Sequence, residues 1–266
     1  MPAQRGELLT RIVSAAILAI VALIAAVLGG GATAFVLGIV TAIVHLEWVS
    51  LTDRSPWPTA VFTAGLVVAI SLITFGAVTG GLTIVGLAVV AAGLTGSVWR
   101  PLGVIYASVL GIGLLMLRLA PDQGLVAVLV LLTTVWATDT GAFFAGRIVG
   151  GAKLWPMISP NKTWAGAIGG LAAGLICGLL VADFLKVTVG VELVAVVAAL
   201  STASQGGDLF ESWVKRRFGA KDAGQLVPGH GGLMDRVDGL TFATGMAVII
   251  GGLHAGPDLG RGLLQW

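Results

Sequence analysis

The residues best equipped for chemistry crowd into one stretch. Between Asp208 and Asp238 lie ten of the chain's 28 charged side chains: Asp208, Glu211, Lys215, Arg216, Arg217, Lys221, Asp222, Asp235, Arg236 and Asp238. If the helix expected over Val189–Ser204 continues through this stretch, Asp208, Glu211, Ser212 and Lys215 fall at i, i+3, i+4 and i+7 and share one face. A carboxylate at the edge of an apolar helix is costly unless paired or metal-bound, so this stripe points to ion or substrate binding. Ser204 opens the same segment. Further along, Lys221-Asp222 precedes Pro228-Gly229-His230-Gly231-Gly232. Glycines there let backbone amides come close to an anion, as phosphate-cradling loops require. Asp235 and Asp238, spaced i and i+3 around Arg236, place two carboxylates on one face of the next helix. That is a hard-oxygen donor set suited to Mg²⁺, which takes one or two carboxylates plus substrate phosphates.

Two outlying groups extend the set. Asp139 sits in the otherwise apolar stretch Leu125–Phe144 and is expected to face the polar site. Ser159-Pro160-Asn161-Lys162-Thr163 stands just before the seventh apolar stretch, where hydroxyl, amide and ammonium groups can hold phosphate near a helix N-terminus. The run from Gly146 to Lys153 lacks the Gly-Lys-Ser/Thr ending of a P-loop. His45 and Glu47, at the end of an apolar stretch, read as structural residues, and Cys177 and His254 as packing residues.

The elements that carry these groups must be membrane helices. Of 266 residues, 57% are apolar and 11% charged, with a mean hydropathy of +1.01. Soluble domains carry about 25% charged residues, so a water-soluble globule, a disordered chain and a coiled coil are all excluded. A bilayer core asks for roughly 20 apolar residues per helix. On that basis nine spans are expected: Ile12–Leu28, Ala32–Leu46, Thr59–Phe75, Leu82–Val98, Leu102–Leu117, Leu125–Phe144, Ala165–Ala182, Val189–Ser204 and Gly239–His254. The fold class is therefore all-α and polytopic. Arg5 and Arg11 precede the first run, which reads as a retained helix and not as a cleaved signal peptide. Residues 1–123 form about five scaffold spans, and residues 124–266 form the catalytic region.

Charge sets the orientation. With a cytoplasmic N-terminus, twelve lysines and arginines fall on the cytoplasmic side and three (Arg118, Lys186 and Arg261) on the other. The charged segment then faces the cytoplasm, where nucleotides are found. Gly166, Gly170, Gly174 and Gly178 recur every fourth residue and make a flat helix face. It reads as a packing face within one subunit, with a homodimer interface as the other reading. Trp48, Trp57, Trp99, Trp155, Trp164 and Trp266 lie near span ends and read as interfacial anchors.

The residues also carry a resemblance. Ser212-x-x-Lys215-Arg216-x4-Lys221-Asp222, continuing to His230-Gly231-Gly232-x-x-Asp235-Arg236-x-Asp238, resembles the signature of the phosphatidate cytidylyltransferases, also called CDP-diacylglycerol synthases. The similarity reaches upstream through Gln205–Ser212, the Ser159–Thr163 segment and Asp139, about the C-terminal half of the chain. Ala165 stands where the family often has glutamate, and Val227 where it usually has leucine or isoleucine. The resemblance implies that CTP and phosphatidic acid give CDP-diacylglycerol and pyrophosphate at the cell (inner) membrane, with no nucleic-acid partner. It implies Mg²⁺ at a two-metal centre, in which a second cation such as K⁺ sits about 3.5–4 Å away. On this basis Asp208, Asp235 and Asp238 are the expected metal ligands. Lys215, Arg216, Lys221 and Arg236 would hold phosphate oxygens, with Glu211, Ser212, Asp222, Gly231 and Gly232 beside them. Ser159, Asn161, Lys162, Thr163 and Ser204 would complete the pocket, Asp139 would line it, and His230 would orient a phosphate or move a proton. A CTP-dependent enzyme on another lipid, a CTP-dependent polyprenol kinase and a transporter stay open as alternatives. A CDP-alcohol phosphatidyltransferase does not, because Asp238-Gly239 is followed by Leu240-Thr241-Phe242-Ala243.

Overall fold

The computed structural model describes the backbone of residues 2–53, 58–224, 226 and 231–266, with side chains from residue 13 onward. His230, Trp57 and Pro228 lie outside the described residues. Every one of the nine apolar stretches forms a helix: α1 (Pro2–Leu28), α2 (Gly30–Thr52), α3 (Thr59–Thr74), α4 (Val78–Gly93), α5 (Trp99–Arg118), α6 (Gly124–Ile148), α7 (Trp164–Phe184), α8 (Val191–Arg217) and α9 (Met234–Ala255). A short α10 (Leu259–Leu264) follows. Among the described residues six helices, α2 and α5 to α9, are long and apolar enough to cross a bilayer. α3 and α4 have 16 residues each. At 1.5 Å per residue they fall somewhat short of a core about 30 Å thick. The chain is a helical, multi-pass membrane protein.

One stretch departs from the all-helical expectation. Gly150 and Gly151 adopt φ of 65° and 90°, which ends α6. Pro160 offers no backbone N–H, so this segment cannot continue as helix. Instead β1 (Lys153–Trp155) and β2 (Ser159–Thr163) pair antiparallel, Lys153 opposite Thr163 and Trp155 opposite Ser159. The expected phosphate segment is thus a hairpin strand.

The chain divides into two compact units. The first comprises residues 1–115 and 218–237. In it α2 packs on α1 and α3, and α3 on α4. Leu66, Ile70, Ile73, Leu110 and Leu115 are among its fully buried side chains. Trp48 is among them too, which corrects its assignment as an interfacial anchor. Its indole Nε1–H donates to the Trp99 carbonyl at 2.8 Å, and its ring stacks on Tyr106 with centroids 5.1 Å apart. A Cβ on Gly103 would stand 2.4 Å from the Trp48 ring, so only glycine admits it.

The second unit comprises residues 116–217 and 238–266. Here α6, α7 and α8 pack mutually, and α10 covers α6 and α8. The glycine strip of α7 is the reason for their closeness. Gly166, Gly170, Gly174 and Gly178 are all buried. A Cβ on Gly170 would meet the Thr138 carbonyl at 2.8 Å, one on Gly174 the Thr138 hydroxyl at 2.3 Å, and one on Gly178 the Thr134 hydroxyl at 2.4 Å. The strip is therefore filled within the chain, by α6 and α8. Ile168, Ile176 and Leu180 of the same helix remain exposed, as lipid-facing side chains are. Between membrane helices lipid exclusion gives little drive, so close van der Waals approach and hydroxyl bridges must hold the bundle. Thr138 Oγ1 and Ser201 Oγ, 2.7 Å apart, supply such a bridge between α6 and α8.

Candidate active site

In the second unit the site grows from α8. The helix continues 13 residues past Ser204 to Arg217, so the expected stripe forms. Glu211 is buried, and Lys215 Nζ lies 2.6 Å from its Oε2 across one helical turn. Ser212 is half-buried and Arg216 exposed. One turn before Glu211, Asp208 receives Lys162 from β2: Nζ to Oδ2 is 2.8 Å, with both side chains about a quarter exposed. Thus the hairpin delivers its ammonium group to the helix and not to open solvent. Ser159 is half-buried and Asn161 exposed on the same strand. Thr163 is buried and has a local duty, since its Oγ1 accepts the Gly166 N–H at 3.0 Å and caps α7.

The start of α9 meets α8 through two glycines. A Cβ on Gly207 would fall 2.5 Å from the Asp238 carbonyl. One on Gly239 would fall 2.6 Å from Ser204 Oγ and 2.9 Å from Asp208 Oδ1. Neither glycine was singled out by sequence, yet each lets backbone and carboxylate come within van der Waals contact. The result gathers negative charge. Asp208, Glu211 and Asp139 all lie within electrostatic reach of Asp238, whose Oδ1 accepts the Gly239 N–H at 2.9 Å. Asp139 is exposed on α6. Ser204 Oγ is buried with no hydrogen-bond partner among the described residues. An orphaned hydroxyl beside a carboxylate cluster is what a cation or phosphate site looks like before its ligand arrives.

The first unit holds the remaining candidates. Lys221, Asp222 and Arg236 are exposed. Gly231 sits at φ 86°, a conformation glycine adopts without strain. Its turn brings the Gly232 N–H to Asp235 Oδ2 at 2.8 Å, and the Ala223 N–H reaches the same oxygen at 3.0 Å. The anion these amides hold is the chain's own Asp235. Beneath them lies Glu47 of α2, buried, accepting the N–H groups of Leu233 at 3.0 Å and Met234 at 2.7 Å. The structural role expected for Glu47 is thereby realised, though its partners are amides with no side-chain signature. His45 also has a structural role, its Nδ1 lying 2.8 Å from the Thr63 hydroxyl.

Among the described residues, no group of three or more His, Cys, Asp or Glu side chains stands ready to hold a metal ion. A divalent ion here would have to complete its shell with substrate oxygens. Carboxylate and hydroxyl oxygens are the donor type Mg²⁺ takes together with substrate phosphates.

The comparisons with known proteins agree with the signature and extend it. The model of the cytidylyltransferase family matches residues 9–253. The phosphatidate cytidylyltransferase of Brucella suis biovar 1 is 40% identical over 265 residues, covering 96% of this chain and 97% of the relative. That of Brucella abortus (strain 2308) is also 40% identical over the same coverage. The phosphatidate cytidylyltransferase of Staphylococcus aureus (strain COL) is 46% identical over 133 residues, half of each chain. The likeness is thus not confined to the C-terminal half, where the signature lies, but runs through the helices that precede it. This chain belongs to the cytidylyltransferase family.

Proposed function

We propose that the chain transfers CMP from CTP to phosphatidic acid, giving CDP-diacylglycerol and pyrophosphate. One observation carries this reading beyond family membership: Asp208, Glu211 and Asp139 lie within electrostatic reach of Asp238, while Lys162 pairs with Asp208 and Lys215 with Glu211. Alternating charge of this kind suits a reaction between two anions.

An oxygen of the lipid phosphate attacks the α-phosphorus of CTP in line. The new P–O bond forms as the bond from the α-phosphorus to the bridging oxygen breaks, and that oxygen leaves with pyrophosphate. A phosphate monoester is largely ionised at neutral pH, its second pKa being about 6, so no strong base is required. The protein's work is to hold both anions in line and to offset their charge. Lys215, Arg216, Lys221 and Arg236 bind phosphate oxygens, and Ser159, Asn161 and Lys162 of the hairpin complete the pocket. His230 orients a phosphate. Asp208, Asp235 and Asp238 would hold Mg²⁺, which would supply positive charge against the triphosphate and the leaving group. Asp235 and Asp238 stand three residues apart on α9, a spacing that supports their sharing a face.

The chain crosses the cell membrane nine times with its N-terminus and its site in the cytoplasm. Twelve of fifteen lysines and arginines fall on that side, and a nucleotide substrate requires it. The deciding test incubates purified protein with Mg²⁺, phosphatidic acid and CTP labelled in the cytosine. Label in the lipid extract with equimolar pyrophosphate is the expected result. Free CDP with a newly phosphorylated lipid would replace this reading with a kinase, and no CTP-dependent product would end it.

A further inference from the structure

We propose that Glu47, on a helix expected to be scaffold, is a positioning residue for the segment carrying Asp222, Gly231, Gly232 and Asp235. This rests on the CTP-dependent reading above. The first N–H groups of any helix lack intrahelical partners, and a cap usually comes from the residue just before them. α9 is capped differently: Glu47, 186 and 187 residues away in sequence, takes the amides of Leu233 and Met234 on its two carboxylate oxygens. Leu233 and Met234 are themselves buried, so no water stands ready to replace it.

The seat is closed by backbone. A Cβ on Gly224 would lie 2.5 Å from Glu47 Oε1, and one on Gly232 would lie 2.8 Å from Oε2. Gly232 turns its own amide to Asp235 Oδ2, so the carboxylate under the loop fixes the loop that fixes Asp235. The next residue, Trp48, anchors this end of α2 on Trp99, and Trp99 in turn meets Phe218 edge-on with centroids 4.9 Å apart. Both ends of the segment from Phe218 to Met234 therefore lean on one helix end. Glu47 has no need to touch substrate to govern where the segment's groups stand.

The test uses full-length Glu47→Gln and Glu47→Asp. Glutamine keeps the shape but offers one acceptor oxygen and points an NH₂ at an amide. A misplacement of about 1 Å costs on the order of 10²-fold, and kcat/KM for CTP should fall by roughly that in Glu47→Gln, with KM raised several-fold. Glu47→Asp, which keeps both acceptors on a shorter arm, should recover part of the loss. Hydrogen exchange should quicken in peptides covering 231–236 and stay unchanged over 164–184. An unchanged KM with activity lost only in proportion to folded protein, or unchanged exchange over 231–236, would overturn the proposal. Should neither variant accumulate, Gly224→Ala presses on the same carboxylate and should show the same signature. Failure of all three beside a normal wild type would assign Glu47 to folding alone. Wild-type protein inactive on CTP would instead sink the parent reading, while the exchange result would still stand.

Discussion

Glu47 and Asp208 are both carboxylates set into apolar helices, and the molecule treats them in opposite ways. Glu47 spends both oxygens on backbone amides, partners that cannot swing away. Asp208 is met by the end of a lysine, about a quarter exposed, with further acidic groups nearby and an unpartnered hydroxyl behind. A hydrogen bond to a charged group contributes about 1.5–3 kcal/mol net, which stabilises the buried charge of Glu47, whereas the partly exposed Asp208 gains less from its lysine. What differs is exchangeability. A lysine can follow a substrate phosphate and release the carboxylate to a cation, whereas an amide in a helix N-terminus cannot. One carboxylate is built to stay, the other to trade partners.

The sharpest way to break this contrast is to remove the charge of Asp208 without changing its shape. Asp208→Asn should lower CDP-lipid formation by roughly 10³-fold or more, because the loss falls on charge stabilisation at the reacting centre. The variant should still insert in the membrane and melt near the wild-type temperature. Turnover within a few-fold of wild type would return Asp208 to a structural role.

Lys162→Met comes next in size. If the lysine trades Asp208 for a phosphate, its loss should raise the KM for CTP and lower kcat/KM by about 10²-fold. If it only pairs Asp208, the pair is worth about 0–1 kcal/mol at this exposure, and kcat/KM should move less than about five-fold. Steady-state kinetics over a CTP series separates the two.

The helices of this contrast were legible in the sequence and the partners were not. Unbroken apolar runs mark all nine helices, and the i, i+3, i+4, i+7 polar stripe is conditional on the eighth helix outlasting its apolar run, as α8 does to Arg217. Lys162 and Asp208 could each be named as site residues, but nothing local joins positions 46 residues apart. The hairpin escaped notice because a three-residue strand has too few positions to show a period. Trp48 misled for another reason: a tryptophan at the end of an apolar run looks the same whether it faces headgroups or, as here, Tyr106. Glu47 could be judged structural, yet its partners are amides, and amides are present at every residue but proline. Gly207 and Gly239 were hidden among 40 glycines, since the use of each depends on which helix crosses it.

A smaller effect tests the frame around Asp208. Gly174→Val would place atoms where Thr138 Oγ1 already stands, 2.3 Å from the new Cβ. Overpacking of this kind costs about 1–3 kcal/mol. That corresponds to a fall in Tm of some 2–4 °C per kcal/mol for a chain of this size. The KM for CTP in the protein that remains folded should be unchanged, because the strip packs helices and binds nothing. A raised KM would mean that the spacing of α6, α7 and α8 is transmitted to the carboxylates.

Thr163 gives the smallest effect and the finest distinction. It belongs to a segment in which Asn161 is exposed and Lys162 reaches Asp208, yet it is buried and its hydroxyl accepts the Gly166 amide. Replacing an N-cap threonine by alanine costs about 1 kcal/mol, and serine keeps the acceptor. Thr163→Ala should therefore lower Tm by a few degrees and Thr163→Ser by less, with kcat/KM for CTP held within about two-fold in both. Were Thr163 a phosphate ligand, the kinetic loss would exceed the thermal one, and Thr163→Ser would restore the rate. The order of the two losses thus tells whether the hairpin's last residue belongs with Glu47, fixing backbone, or with Lys162, meeting substrate.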